Sequence, residues 1–244
     1  MNLGNTATLT LAVCWAAWRL RDRPRLAGPA LAGAVGIKLL PLLLVVFFVA
    51  SGRLRIVLWA VVTLAAVGLV TWPVVGSAWD EYLRVLGSIA RSAPASGPNV
   101  APAMLGGGLG RLALIAGATV VVVAAGMVAA RVPAAETRGF AIALAAAPLL
   151  STTIWYPYLT LALPLLVFVG AADPLTTGAW RISRSGAAAR ALVWSLIFLQ
   201  LFSEPDRQFT SPFWGLVALL AWAAVDLGGQ HRARSVCRGR PART

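Results

Sequence analysis

The sequence predicts an all-α protein, a polytopic bundle of transmembrane helices. Three observations lead there. Of 244 residues, 59% are hydrophobic and only 12% charged, about half the usual charged share of roughly 25%. The charges do not follow amphipathic faces but sit in short clusters between apolar blocks, a pattern that belongs to a bilayer rather than to a soluble core. The net charge of +13 comes from arginines at the ends of those blocks. They form no stripe along one face, so they read as topology signals and not as a nucleic-acid surface.

The apolar blocks fall at about 6–18, 26–37, 38–51, 55–76, 111–130, 138–152, 157–172, 190–203 and 212–228. They give about eight to nine membrane segments in a single domain over residues 1–228. Residues 229–244 form a basic tail, expected to be cytoplasmic and disordered. The first stretch, MNLGNTATLTLAVCWAAWRLRDRPR, carries its arginines after the apolar part. It therefore reads as the end of a span and not as a secretory signal. Cys14 in the first block and Cys237 in the tail are too far apart in this layout to pair. His231 stands alone among basic residues as a solvated side chain, and no metal-ligand spacing occurs.

The next segment, Leu26 to Ala50, holds the only lysine, Lys38, three residues before Pro41. As one span it would put Arg53 and Arg55 opposite Arg19–Arg25 and leave eight arginines inside and twelve outside. As a hairpin turning near Lys38 it gathers sixteen on one face and leaves Arg84, Arg91, Arg111 and Arg207 on the other. The positive-inside rule selects the hairpin and makes the arginine-rich face cytoplasmic. Each arm of 12–13 residues spans roughly 18–20 Å, against a hydrocarbon core of about 30 Å. The turn then stops within the membrane, where irregular backbone needs protein or a wet cavity around it. Pro41 suits the start of the returning arm, and Gly28, Gly33 and Gly36 suit a flat face for close helix contact.

An ammonium at that depth costs at least about 2.5–3.5 kcal/mol. No acid lies within a neighbouring span; all eight map to loops or span ends. A phosphate-bearing ligand would supply the missing anion, while a lysine snorkelling to the interface is the plain alternative.

The long outer loop, 77–110, begins with a short interfacial helix, Trp79 to Ala90, anchored by Trp79 and Tyr82. It continues through a Pro-, Gly- and Ser-rich part expected to be flexible or wrapped on other loops. Asn99 and Arg111 bracket that part. Arg111 opens a span on the arginine-poor face, either as a second ligand cation or as an ordinary helix-end residue. Trp155, Tyr156 and Tyr158 fit an aromatic belt and would equally wall a pocket for a sugar or lipid head group. Glu204 and Asp206 lie in a Pro-bounded turn, where general-base use would need reach to a substrate proton. GGG at 106–108 lacks the GK[ST] of a P-loop, and no nucleophile elbow or HExxH helix occurs.

Several of these residues resemble a known family. The stretch LGNTATLTLAVCWAAWRLRDRPRLAGPALAGAVGIKLLPLLLVVFFVASGRLR is similar to the middle of the polyprenyl-phosphate-mannose-dependent mannosyltransferases of glycosyltransferase family 87, membrane enzymes of the GT-C class. Gly4 matches a G-Q-x-N segment, with Asn5 in place of Gln, and Lys38 and Pro41 match K-x-x-P. NVAPAMLGGGLGR is similar to an N-Q-S stretch closed by arginine, through Asn99 and Arg111; Val100 and Ala101 replace Gln and Ser. STTIWYPY is similar to S-P-x-x-W-x-H-Y, through Ser151, Trp155 and Tyr158; Thr152 and Pro157 replace Pro and His. The resemblance runs to about residue 225.

What the resemblance implies is a GT-C-like hexosyltransferase of the plasma membrane, multi-pass, with a cytoplasmic C-terminus. It would move a hexose, mannose by preference, from a polyprenyl-phosphate sugar to a lipid or glycan acceptor on the extracytoplasmic face, with inversion. Membrane lipids are its other partners, nucleic acid is not one, and no cofactor or metal is implied. Lys38 and Arg111 would hold the donor phosphate; Asn99, Trp155, Tyr156 and Tyr158 would line the substrate pocket. The family's acidic base lies ahead of the G-Q segment, so it is expected upstream of Met1. An anionic-lipid transporter or a non-catalytic membrane subunit are the alternatives. The first predicts related halves and polar residues in several spans, neither of which is visible.

Overall fold

The structure is a computed structural model. It describes residues 6–76, 78, 80, 81, 84, 85, 88, 108–150, 156–168, 191 and 213–225. Among the described residues there is no strand, and the chain is all-α. The helices are α1 (Ala7–Arg19), α2 (Pro24–Ile37), α3 (Leu42–Ala50), α4 (Leu54–Val75), α5 (Gly108–Arg131), α6 (Glu136–Ala146), α7 (Leu163–Phe168) and α8 (Phe213–Val225). Short 3-10 turns at Pro133–Ala135, Ala147–Leu150 and Tyr156–Ala162 join them. The blocks at 138–152 and 157–172 are therefore only partly α-helical. The block at 190–203, the turn holding Glu204 and Asp206, and the tail lie outside the described residues, as does most of the interfacial helix expected from Trp79 to Ala90.

Two described helices have the length and apolarity of a full crossing, α4 with 22 residues and α5 with 24. They span roughly 33 and 36 Å at 1.5 Å per residue, enough for a core of about 30 Å. The remaining described helices are shorter than such a crossing, so among the described residues two spans meet this criterion, and the expected eight to nine segments are not confirmed. The segment from Leu26 to Ala50 is not one helix. α2 has 14 residues and α3 has 9, roughly 21 and 14 Å, and neither reaches across alone.

The break has a direct cause. Pro41 has no N–H to give the Ile37 carbonyl, and its ring disfavours helical backbone at Leu40. α2 therefore ends on Lys38, whose backbone is extended at φ −154° and ψ 141° and whose N–H still donates to the Ala34 carbonyl at 3.2 Å. Pro41, at φ −66°, then precedes the first residue of α3, and its carbonyl accepts from the Leu44 N–H at 2.8 Å.

The two arms pack on different neighbours: α2 lies against α1 and α4, α3 against α5 and α6. Glycines set the closest approaches. A Cβ on Gly28 would collide with Trp59 Cβ and the backbone around it, so α2 and α4 touch near their N-terminal ends and run parallel. A Cβ on Gly126 would lie 2.6 Å from Ala50 Cβ and 3.1 Å from the Phe47 carbonyl oxygen. The same stretch of α3 is met by Gly139, where a Cβ would come 2.8 Å from Phe47 Cε2. Gly33 makes only ordinary contact with Val13, and Gly36 faces nothing within 4 Å. The flat face expected from three glycines thus narrows to Gly28.

The core centres on buried aromatic rings. Trp18 and Phe140 stack with centroids 4.7 Å apart, and Phe47 packs by Trp18 at 6.3 Å and Phe48 at 5.7 Å. Cys14 is buried beside them on α1. The loops 20–23, 51–53 and 132–135 meet at one end of this core. There Glu136 Oε1 accepts from Arg53 Nε at 2.6 Å and pairs with Arg53 Nη2 at 2.5 Å, while its Oε2 meets Arg21 Nε at 3.4 Å. Arg53 Nη1 also donates to the Arg21 carbonyl and to Asp22 Oδ1, both at 3.1 Å. The Arg21 guanidinium lies 4.3 Å from the Trp18 ring centroid. Two of the arginines expected to share one face, Arg21 and Arg53, are brought together here through their loops, while Arg181, Arg184, Arg190 and the tail arginines lie outside the described residues. Arg138 departs from that group: only 7% exposed, it is buried on α6 rather than solvated.

Candidate functional site

The α2–α3 break lies at the opposite end of the bundle from the Glu136 cluster. α2 runs from Pro24, beside the clustered loops, to Ile37, and α3 returns to Ser51. Lys38 sits where the backbone turns, half-buried. Its Nζ lies 4.1 Å from the ring centroid of Tyr158. A cation held over a phenol face is stabilised by the ring quadrupole, by about 0.5–2 kcal/mol depending on desolvation. Tyr158 reaches that position because the 3-10 turn Tyr156–Ala162 packs on α1 and α6, with Leu159 and Leu161 buried as its anchors.

Lys38 also borders a groove of about 540 Å³ between α2 and α4. Val35, Gly36, Leu39, Leu64, Val75 and Ala78 form the rest of its wall. Lys38 is the only charged residue among these, and the surroundings are apolar. Gly36 leaves room for the groove because it carries no side chain and faces open space. Ala78 brings the beginning of the 77–110 loop to the rim.

No acid forms an ion pair with this ammonium among the described residues: Glu136 and Asp22 are engaged by Arg21 and Arg53 at the far end, and the exposed Asp80 and Glu81, just past the groove rim at Ala78, make no ion pair with Lys38. A cation with an aromatic neighbour and an apolar groove can hold an anion that carries a hydrophobic tail. No group of three or more His, Cys, Asp or Glu side chains that could bind a metal occurs among the described residues.

The other residues singled out in the sequence distribute as follows. Arg111 lies in the first turn of α5, partly exposed. α5 runs parallel to α3, since Gly126 near its end faces Phe47 and Ala50, so Arg111 is at the Lys38 end of the bundle. No contact joins the two side chains among the described residues. Tyr156 opens the 3-10 turn that carries Tyr158. Asn99 and Trp155 lie outside the described residues. Gly36, two residues before Lys38, lines the groove and touches no neighbouring helix.

A family model, glycosyltransferase family 87, matches residues 1–157. The chain belongs to glycosyltransferase family 87. The match covers the Lys38 break, both full-length helices and the turn through Pro157. No curated protein and no solved structure matches the chain. Family 87 membership makes the protein a glycosyltransferase associated with membranes, and a transferase of this kind uses a sugar donor and an acceptor.

Proposed function

We propose that this family 87 chain takes part in moving a hexose, mannose by preference, from a polyprenyl-phosphate sugar to a lipid or glycan acceptor. The reaction takes place on the extracytoplasmic side of the plasma membrane, within a multi-pass bundle whose C-terminus is cytoplasmic. The observation that carries this reading is Lys38, an ammonium at a helix break that borders an apolar groove and lies over the Tyr158 ring.

In this scheme the acceptor hydroxyl loses its proton to a carboxylate and attacks the anomeric carbon from the face opposite the leaving group. The C–O bond to the phosphate breaks with inversion, and polyprenyl phosphate departs with the bonding electrons. The departing phosphate gains charge as the bond breaks. A fixed cation in a site of low dielectric stabilises that charge without reorganisation. Lys38 supplies this cation, and Arg111, on the same end of the bundle, is the second candidate. The polyprenyl chain follows the apolar wall formed by Val35, Leu39, Leu64 and Val75. Tyr158 keeps the ammonium in place, while Asn99, Trp155 and Tyr156 are the proposed sugar-side residues.

The test is transfer from a polyprenyl-phosphate mannose donor in membranes containing the full-length protein. Lys38→Met is expected to abolish transfer while the protein still inserts and expresses. Unchanged transfer by Lys38→Met would remove the proposed role of the ammonium. Transfer from a nucleotide sugar with no lipid-linked intermediate would remove the donor assignment.

A further inference from the structure

At the end of the bundle opposite Lys38 there is a second cleft, of about 420 Å³, lined by Arg23, Pro24, Arg25, Arg55 and Trp59. It opens between the N-terminal ends of α2 and α4, which the Gly28–Trp59 contact holds side by side. Three arginines converge on it, all exposed. The Arg25 guanidinium carbon is 5.8 Å from the Trp59 ring centroid.

These arginines differ from their neighbours. Arg21 and Arg53 are taken up by Glu136 and Asp22. Arg23, Arg25 and Arg55 have no ion pair among the described residues. The helix termini add charge of the same sign: neither α2 nor α4 has a side-chain cap at its N-terminus, and the dipole of each helix places partial positive charge there. Three guanidinium groups and two uncapped N-termini around one cleft repel each other unless an anion lies among them.

We propose that this cleft binds the phosphate head group of an anionic phospholipid from the leaflet bordering that end of the bundle. A lipid is favoured over a free anion by what adjoins the cleft. Trp59 is 37% exposed beside the arginines, as an amphipathic ring at the head-group level would be. Leu58 and Val62 share one exposed face of α4 leading away from it. Acyl chains lie along that face while the phosphate takes the guanidinium donors, for which arginine geometry is well suited. Basic pockets between helices at a membrane surface hold lipid head groups in this manner. The site is separate from the Lys38 groove, and its occupancy would fix α2 against α4 at the Gly28 end.

The experiment uses the full chain, purified in a mild detergent and stripped of lipid. Bound lipid is counted by native mass spectrometry, and the unfolding midpoint is recorded with phosphatidylglycerol, with phosphatidylcholine or with inorganic phosphate. Phosphatidylglycerol is expected to bind and raise the midpoint, and the other two to do neither. Arg25→Gln/Arg55→Gln should weaken phosphatidylglycerol binding about 25-fold, roughly fivefold per arginine. Arg19→Gln/Arg131→Gln removes the same charge outside the cleft and should retain binding. Should the first pair fail to yield folded protein, single Arg25→Gln and Arg55→Gln variants are each expected to lose about fivefold. Equal response to phosphatidylcholine, equal loss in the two charge-matched pairs, or undiminished binding in the single variants would overturn the proposal. Inorganic phosphate reproducing the shift would overturn the lipid assignment.

Discussion

Arg53 and Glu136 meet at 2.5 Å, joining the loop that follows α3 to the first residue of α6. The carboxylate also faces Arg21 at 3.4 Å, so one acid on α6 ties down two loops that are distant in sequence. Glu136 is 14% exposed and Arg53 25%, so removal of the acid leaves two poorly solvated guanidinium groups facing each other. Glu136→Gln is expected to lower stability by about 2 kcal/mol, as loss of charge-assisted hydrogen bonds does. Thermal unfolding of the purified protein in detergent reads this. An unchanged midpoint would mean that the cluster contributes nothing.

The contact between Lys38 and Tyr158 makes a graded prediction for transfer. Tyr158→Phe keeps the ring face and should leave the donor KM within about twofold. Tyr158→Leu removes the quadrupole and should raise the donor KM roughly fivefold, equivalent to about 1 kcal/mol. A Phe variant as impaired as the Leu variant would point to the hydroxyl instead of the ring.

Glycine contacts separate two substitutions that look alike in the sequence. Gly28→Ala forces a methyl into the backbone of α4 at Trp59 and is expected to cost about 1–3 kcal/mol, as overpacking does. Gly33→Ala meets only the Val13 side chain at 3.8 Å and should be neutral or stabilising by up to about 1 kcal/mol through helix propensity. Unfolding midpoints of the two variants, measured side by side, check the contrast.

Phe47 is fully buried between Trp18, Phe48 and the backbone at Gly139. Phe47→Ala is expected to cost about 3 kcal/mol or more through the cavity left behind. Recovery of folded protein after detergent extraction should fall accordingly, whereas Val49→Ala, at an exposed position on the same helix, should leave it unchanged.

The interruption at Lys38–Pro41 was legible because proline acts locally: its missing N–H and its effect on Leu40 need no tertiary information. The long helices α4 and α5 were legible for a similar reason, as uninterrupted apolar runs. Partners were not. Glu136 reads as a helix-end acid, and nothing near it in the chain indicates Arg21 or Arg53. Gly28 and Gly36 are alike in sequence, but they face different surroundings, and only the packing decides which one touches a neighbour. The close approach at Gly126 does have a trace in the chain, since Ala118, Val122, Ala125, Gly126 and Ala129 recur at helical spacing and are the buried positions of α5. Lys38 stood out by composition alone. Its groove depended on how the ends of α2 and α4 diverge, which no local pattern encodes.

The seat of Gly28 against Trp59 has a mechanical consequence. Two rods riveted near one tip turn about the rivet, so their free tips can spread or draw together while the joint stays intact. The ammonium and its greasy trough occupy those free tips, and Gly36 leaves them without an interlocking side chain. The lipid chain of the proposed donor could thus be admitted by a small angular change, with the riveted tips and the guanidinium–carboxylate knot beyond them left undisturbed.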